Sequence, residues 1–172
     1  TMGGDVITGD LLKQIAVQCP QARIMAMYGP TETTTYMTFA EVSGDTGDPV
    51  PIGRPFAGTR LRVVDENLRQ VPVGAVGELM ISGPCVALGY TGSPSLTAAR
   101  FLPDPEGEGQ RMYRSGDLVR WRPDGMLEFI ARVDHQVKIR GFRIEPGEIE
   151  ANLRRTVALR EVLVQAVGSG AS

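Results

Sequence analysis

Between residues 50 and 130 the chain breaks into short runs in which apolar and polar residues alternate: 60–64, 78–81, 117–121 and 126–130. A period of two is the signature of strands with one face buried, and runs of this length are too short for packed helices. Each run is bounded by glycine, proline or aspartate. Pro123-Asp124-Gly125, set between two runs, is a strong hairpin signal. With 21 glycines and 12 prolines in 172 residues, turns outnumber long helices, and a small antiparallel barrel or sandwich is expected here. One helix, 95–101, interrupts it, with Ser93 or Ser95 as its cap.

The flanks read differently. Leu11, Leu12, Ile15, Ala16 and Cys19 recur at helical spacing over 9–19, with Thr8 or Asp10 as cap and Pro20 as stop. The apolar run 23–27 suits a buried strand and empties into the loop Tyr28-Gly29-Pro30-Thr31-Glu32. That order is the layout of an α/β sheet, whose ligands sit beyond the carboxyl ends of strands. After residue 134, 136–140 and 142–144 form a tight two-strand piece around Gly141. Pro146-Gly147-Glu148 then opens a helix with acids in its first turn, and 162–167 reads as a following strand. The expected organisation is an α/β segment with a nucleotide loop (1–48), an antiparallel β-rich subdomain (49–133) and the start of a small, mobile α+β domain (134–172).

A net charge of −2 gives no electrostatic case for nucleic acid or an anionic membrane as partner. No stretch approaches ~20 apolar residues, and the first residues lack a signal-peptide layout. Cys19 and Cys85 fit no metal spacing and read as reduced, buried thiols of a cytoplasmic protein, with a disulfide between them as the alternative. The chain opens on Thr1 and closes on Gly168-Ser169-Gly170-Ala171-Ser172, as if cut from something longer.

No phosphate-binding glycine loop of the two common kinds is present, and the single histidine, His135, supports neither a triad nor a zinc site. The loop from Tyr28 to Thr35 offers an aromatic face, a flexible glycine, a rigid proline, consecutive hydroxyls and a carboxylate. Such a set can stack a base, donate to phosphate and hold a hard cation through oxygen; the alternative is a hydroxyl-rich turn that caps itself. Asp117, after Gly116, is either a turn former or an acceptor for a pair of sugar hydroxyls. The basic residues Arg132, Lys138, Arg140 and Arg143 around Asp134 read on charge alone as a solvated strand face.

Taken in order, four stretches resemble the adenylate-forming superfamily, and within it the adenylation domains of nonribosomal peptide synthetases. They are Met27-Tyr28-Gly29-Pro30-Thr31-Glu32-Thr33; Gly77-Glu78-Leu79-Met80-Ile81-Ser82-Gly83 running on to Ala87-Leu88-Gly89-Tyr90; Tyr113-Arg114-Ser115-Gly116-Asp117-Leu118; and the segment from Arg132 to Glu145. The resemblance implies roles at matching positions. Tyr28 would stack on adenine beside Gly29, Thr31 would contact phosphate, Glu32 would coordinate magnesium, and Asp117 with Arg132 would hold the ribose. Asp134 would be the hinge of a rotating C-terminal domain, after which Lys138 and Gly141 face the active site. Thr1, Gly3, Met27, Thr35 and Tyr36 would line half of the substrate pocket.

The implied activity is ATP- and Mg2+-dependent conversion of an amino acid to an aminoacyl adenylate. The acyl group would then pass to the phosphopantetheine thiol of a carrier-protein domain, with a small helper protein as a further possible partner. The family's phosphate loop and its catalytic lysine would lie upstream of Thr1 and beyond Ser172, so the chain alone is expected to be inactive. Ala131 and Ser115 stand where the family has Gly and Thr. An acyl-CoA or aryl-acid ligase, and a non-catalytic interaction module, are the competing readings.

Overall fold

The computed structural model describes residues 1–3, 7–134, 136–139, 142–157 and 161–165. Helix α1 (Gly9–Gln18) starts where expected: Thr8 is its N-cap and accepts from the Leu11 N–H at 3.3 Å. Asp48 reaches back to accept from the Gly9 N–H at 2.7 Å, so two of the helix's orphan donors are satisfied. Leu12 and Ile15 press α1 onto strands β1 (Ile24–Tyr28) and β2 (Thr38–Val42), burying a cluster with Ile24, Ala26, Ala40 and Val42. Met2 bridges Ala26 in parallel, which sets the segment before α1 beside β1. The remaining strand pairs are antiparallel.

Strand β3 (Arg54–Pro55) joins β2, giving the order β1-β2-β3. A second sheet holds β4 (Arg60–Val64), β5 (Val76–Ser82), β6 (Phe101–Pro103), β7 (Arg111–Trp121) and β8 (Leu127–Arg132). Its order is β4-β5-β7-β6, with β8 also on β7. Because β5 occupies one edge of β7, β6 and β8 share the other edge end to end, leaving 114–116 between them. The Pro123-Asp124-Gly125 hairpin closes β7 onto β8 with Trp121 opposite Leu127. Leu127 also exchanges backbone hydrogen bonds with Gly53, and the Ile52 N–H donates to the same Leu127 carbonyl. The two sheets therefore meet along a hydrogen-bonded seam. Met37, Val63, Leu79, Ile81, Val119 and Leu127 fill the space beside it, each at most 4% exposed, with Tyr28 packed on their margin.

Several expectations need correction. The interrupting helix, α2 (Pro94–Arg100), ends before Phe101, which begins β6. Ser93 holds its cap position through the backbone only. Strand β7 runs 11 residues where only 117–121 is legible, because its first half does not alternate: Met112 and Tyr113 are both buried, and so are Ser115, Gly116 and Asp117 in succession. Strands β2 and β3 carry no readable alternation. Cys19 is exposed and Cys85 half-buried, and both are free thiols. Cys19 caps the end of α1, where the helix turns away from its sheet.

Strands β9 (Val137–Ile139) and β10 (Phe142–Ile144) pair as expected, and α3 (Pro146–Thr156) begins on Pro146. Residues 161–165 form no strand, and the rest of the expected 162–167 strand lies outside the described residues, as do His135, Arg140 and Gly141. Among the described residues no helix is long and apolar enough to cross a membrane.

Candidate functional site

The loop after β1 is a single 3₁₀ turn (Thr31–Thr33) followed by Thr34 and Thr35 at φ 73° and 146°. Positive φ is strained for a β-branched residue, so the surroundings must hold it. The Thr34 Oγ1 donates to the Cys85 carbonyl at 2.7 Å, and the Ala87 N–H donates to the Glu32 carbonyl at 2.9 Å. Gly29 permits the sharp return: a Cβ there would lie 2.2 Å from the Thr35 carbonyl oxygen and 2.8 Å from the Met37 nitrogen. Its smallness serves backbone packing within the loop, rather than the flexibility suggested by its sequence context.

Tyr28 and Asp117 meet although 89 residues apart: the Tyr28 hydroxyl donates to Asp117 Oδ2. Arg132, opposite Asp117 in the β7–β8 register, donates through Nη1 to Asp117 Oδ1 at 2.5 Å. The same guanidinium grips Asp134 through Nε at 2.7 Å and Nη2 at 2.9 Å, and Arg100 at the end of α2 adds a contact to Asp134 Oδ2 at 3.3 Å. The result is a relay Tyr28–Asp117–Arg132–Asp134–Arg100, alternating in character from phenol to carboxylate to guanidinium. The basic residue at 132 is thus an ion-pair partner, which charge alone could not distinguish from a solvated one.

The electrostatics follow from burial. Asp117 is 4% exposed, and burial pushes its carboxyl above the usual range despite Arg132 and the Tyr28 bond. Burial and the adjacent Asp117 charge push the Tyr28 phenol well above its ordinary value, so it stays a hydrogen-bond donor. For Asp134, burial acts upward, but the Arg132 bond and charge, with the Gln136 N–H and Arg100, outweigh it and hold the carboxyl below the usual range.

Asp117 is aimed by an irregularity in β7. Met80 pairs with Arg114 and Glu78 with Leu118, so one residue of β5 faces three of β7. Gly116 takes φ 75° inside this bulge, and the Ser115 Oγ donates to the Leu79 carbonyl at 2.8 Å while accepting from the Asp117 N–H at 3.0 Å.

Glu32 goes to a neighbouring place. It is buried, and its Oε1 accepts from the Tyr90 hydroxyl at 2.7 Å. The Tyr113 hydroxyl faces the same group: burial first, then the bond with Tyr90 and the Glu32 charge, raise its ionisation far above normal. Tyr90, Phe101 and Tyr113 pack ring to ring at 5.5 and 5.2 Å. Tyr113, which faces Glu32, and Asp117 are four residues apart on β7, about 13 Å along the strand at 3.3 Å per residue.

Tyr90 and Tyr113 are missed by sequence reasoning as site members, although both stand in the quoted motifs. A phenol that braces a carboxylate from 58 residues away leaves no spacing signal. Thr31 is exposed at the mouth of the turn. Of the five expected pocket residues, three converge: a Cβ on Gly3 would touch the Met27 carbonyl and the Tyr36 ring, each at 2.7 Å. Thr35 and Tyr36 line a shallow depression with Met37, Phe56 and Cys85, while Thr1 is exposed. Lys138 pairs through its backbone with Arg143, and its side chain lies outside the described residues.

Among the described residues no three His, Cys, Asp or Glu side chains converge on a metal position. A magnesium ion carried by nucleotide phosphates needs only one or two carboxylates. Glu32, a single carboxylate braced by Tyr90, fits that need. Asp117 fits a sugar diol, because a carboxylate has about four acceptor sites and two are used here.

This arrangement of sheets and loop defines the adenylate-forming fold. The structure of PA1221, a nonribosomal peptide synthetase protein containing adenylation and PCP domains, superposes with a TM-score of 0.81 at 34% identity, covering 89% of this chain and 32% of that one. The adenylation domain AlmE of Vibrio cholerae, solved with glycyl-adenosine-5'-phosphate, gives 0.81 at 36% identity over 94% of this chain and 31% of its own. The chain belongs to the AMP-binding enzyme family, which matches residues 1–91. Among relatives, CymA of Salinispora arenicola, a probable non-canonical nonribosomal peptide synthetase, is 50% identical over 166 residues, 96% of this chain and 2% of CymA. The chain therefore spans a small part of the relatives it matches.

Proposed function

We propose that this chain supplies the adenosine- and metal-holding part of an enzyme that activates an amino acid with ATP and passes the aminoacyl group to a carrier-bound phosphopantetheine thiol. The observation that carries the reading is the convergence of Tyr28, Asp117 and Arg132, with Glu32 braced by Tyr90 and faced by Tyr113 of the strand that carries Asp117. In this reading a nucleotide lies with its base by Tyr28, its ribose on Asp117 and its phosphates toward Thr31 and Glu32.

In this reading the half-buried Tyr28 ring offers a face to adenine while its hydroxyl, with Arg132, fixes the Asp117 carboxylate as acceptor for the ribose. Thr31 donates to phosphate, and Tyr90 and Tyr113 orient Glu32. Magnesium, when bound, would neutralise phosphate charge as pyrophosphate leaves. Residues 1–48 and 49–133 form the two parts that hold the nucleotide. Residues 134–172 begin the smaller domain, with Asp134 as its hinge and Lys138 brought to the site in the thioester-forming step. Gly3, Met27, Thr35 and Tyr36, with Thr1, form one wall of the amino-acid pocket. Similarity to a protein with adenylation and PCP domains supports a carrier domain as partner.

The test is amino-acid-dependent pyrophosphate exchange by the complete protein that carries this chain. Asp117→Ala is expected to raise KM for ATP by about 10–100-fold, the loss of hydrogen bonds to a charged acceptor. An unchanged KM for ATP refutes the reading.

A further inference from the structure

Glu78 stands outside every role given above, yet it is 8% exposed and fully engaged. Arg114 donates to it through Nε at 3.0 and 2.9 Å and through Nη2 at 2.8 Å, a bidentate pair. Its Oε1 also accepts from the Gly116 N–H at 3.1 Å. The two groups it holds flank Ser115 within the bulge that presents Asp117, and Glu78 itself sits opposite Leu118, the residue after Asp117. One carboxylate on β5 thus fastens both sides of the irregularity that turns the Asp117 side chain toward Tyr28 and Arg132.

We infer that Glu78 is a positioning residue for nucleotide binding: through Arg114 and the Gly116 N–H it sets the bulge that holds Asp117 in reach of a ribose diol. A half-buried carboxylate–arginine pair is weak evidence of stabilisation by itself, whereas its placement on the bulge gives it a defined geometric task. Glu128 provides the contrast. It is equally buried at 6% and is paired with Arg120 at 3.2 and 2.8 Å in the β7–β8 ladder, but it touches no part of the bulge. The inference rests on the ribose role proposed for Asp117.

The experiment measures equilibrium binding of ATP and of 2',3'-dideoxy-ATP to the complete protein, alongside its thermal midpoint. The parent protein is expected to prefer ATP by about tenfold or more, the worth of a hydrogen bond to a charged acceptor. Glu78→Ala is expected to cut that preference by about fivefold or more, acting on ATP while leaving the dideoxy nucleotide nearly unchanged. Glu78→Gln, which keeps an acceptor for Gly116 but not the bidentate pair, should fall between. Glu128→Ala should lower the thermal midpoint and keep the preference.

Retention of the parent preference in Glu78→Gln and Glu78→Ala overturns the inference; should Glu78→Ala not fold, retention in Glu78→Gln alone does so. Absence of any preference in the parent protein is a separate result. It overturns the ribose role of Asp117 and this inference with it.

Discussion

Gly116 is where conformation, packing and charge can be separated by one methyl group. At φ 75° an alanine sits in the left-handed region, which costs about 1–2 kcal/mol, partly offset by the lower entropy of the unfolded chain. The same methyl would lie 3.0 Å from Arg132 Nη2, 3.1 Å from Asp134 Oδ2 and 3.3 Å from Arg100 Nη1. These are side-chain ends and can yield by a few tenths of an ångström, but all three belong to one relay. Moving them weakens at least one charge-assisted bond, worth about 1.5–3 kcal/mol. Their side chains are 22%, 27% and 29% exposed, so screening is limited.

Gly116→Ala should therefore cost about 3 kcal/mol in all, or roughly 6–12 °C of melting temperature for a chain of this size. Gly92 isolates the conformational part: it has φ 72° and nothing within 4 Å of an added Cβ. Gly92→Ala should cost about 1 kcal/mol, or roughly 2–4 °C. Thermal unfolding of both variants, followed by circular dichroism, reads the difference. Equal losses would refute the claim that the relay is packed against Gly116.

Leu127 is fully buried, and Leu127→Ala should lose about 3–5 kcal/mol, through transfer and cavity terms, with the exposed Leu88→Ala within about 0.5 kcal/mol; denaturant midpoints check both. Asp134 should carry an acid-labile contribution. Its folded carboxyl lies below its unfolded value, so the stability it provides is present above about pH 4 and lost as pH falls through the folded value. Asp134→Asn should thus lower the melting temperature at pH 7 with a gap that closes on acidification, and a gap constant down to pH 3 argues against the Arg132 and Arg100 pairing. Asp117, raised by burial, has the opposite sign: its contribution is greatest at low pH and is lost as pH rises through its folded value.

The sequence by itself determined the local elements and their chemistry. Alternation over 60–64, the Pro123-Asp124-Gly125 turn, the Thr8 cap and the Pro146 start are each written within a few residues, because periodicity and capping are short-range physics. The four ordered motifs likewise marked Tyr28, Glu32, Asp117 and Arg132 as a set. Only the tertiary structure decided what those side chains touch. It set Arg132 on Asp117 across a strand pair, Tyr28 on Asp117 from 89 residues away, and Tyr90 on Glu32 from 58. It also introduced the bulge held by Glu78. These are contacts between distant segments fixed by register and burial, and neither composition nor spacing encodes which buried carboxylate meets which cation.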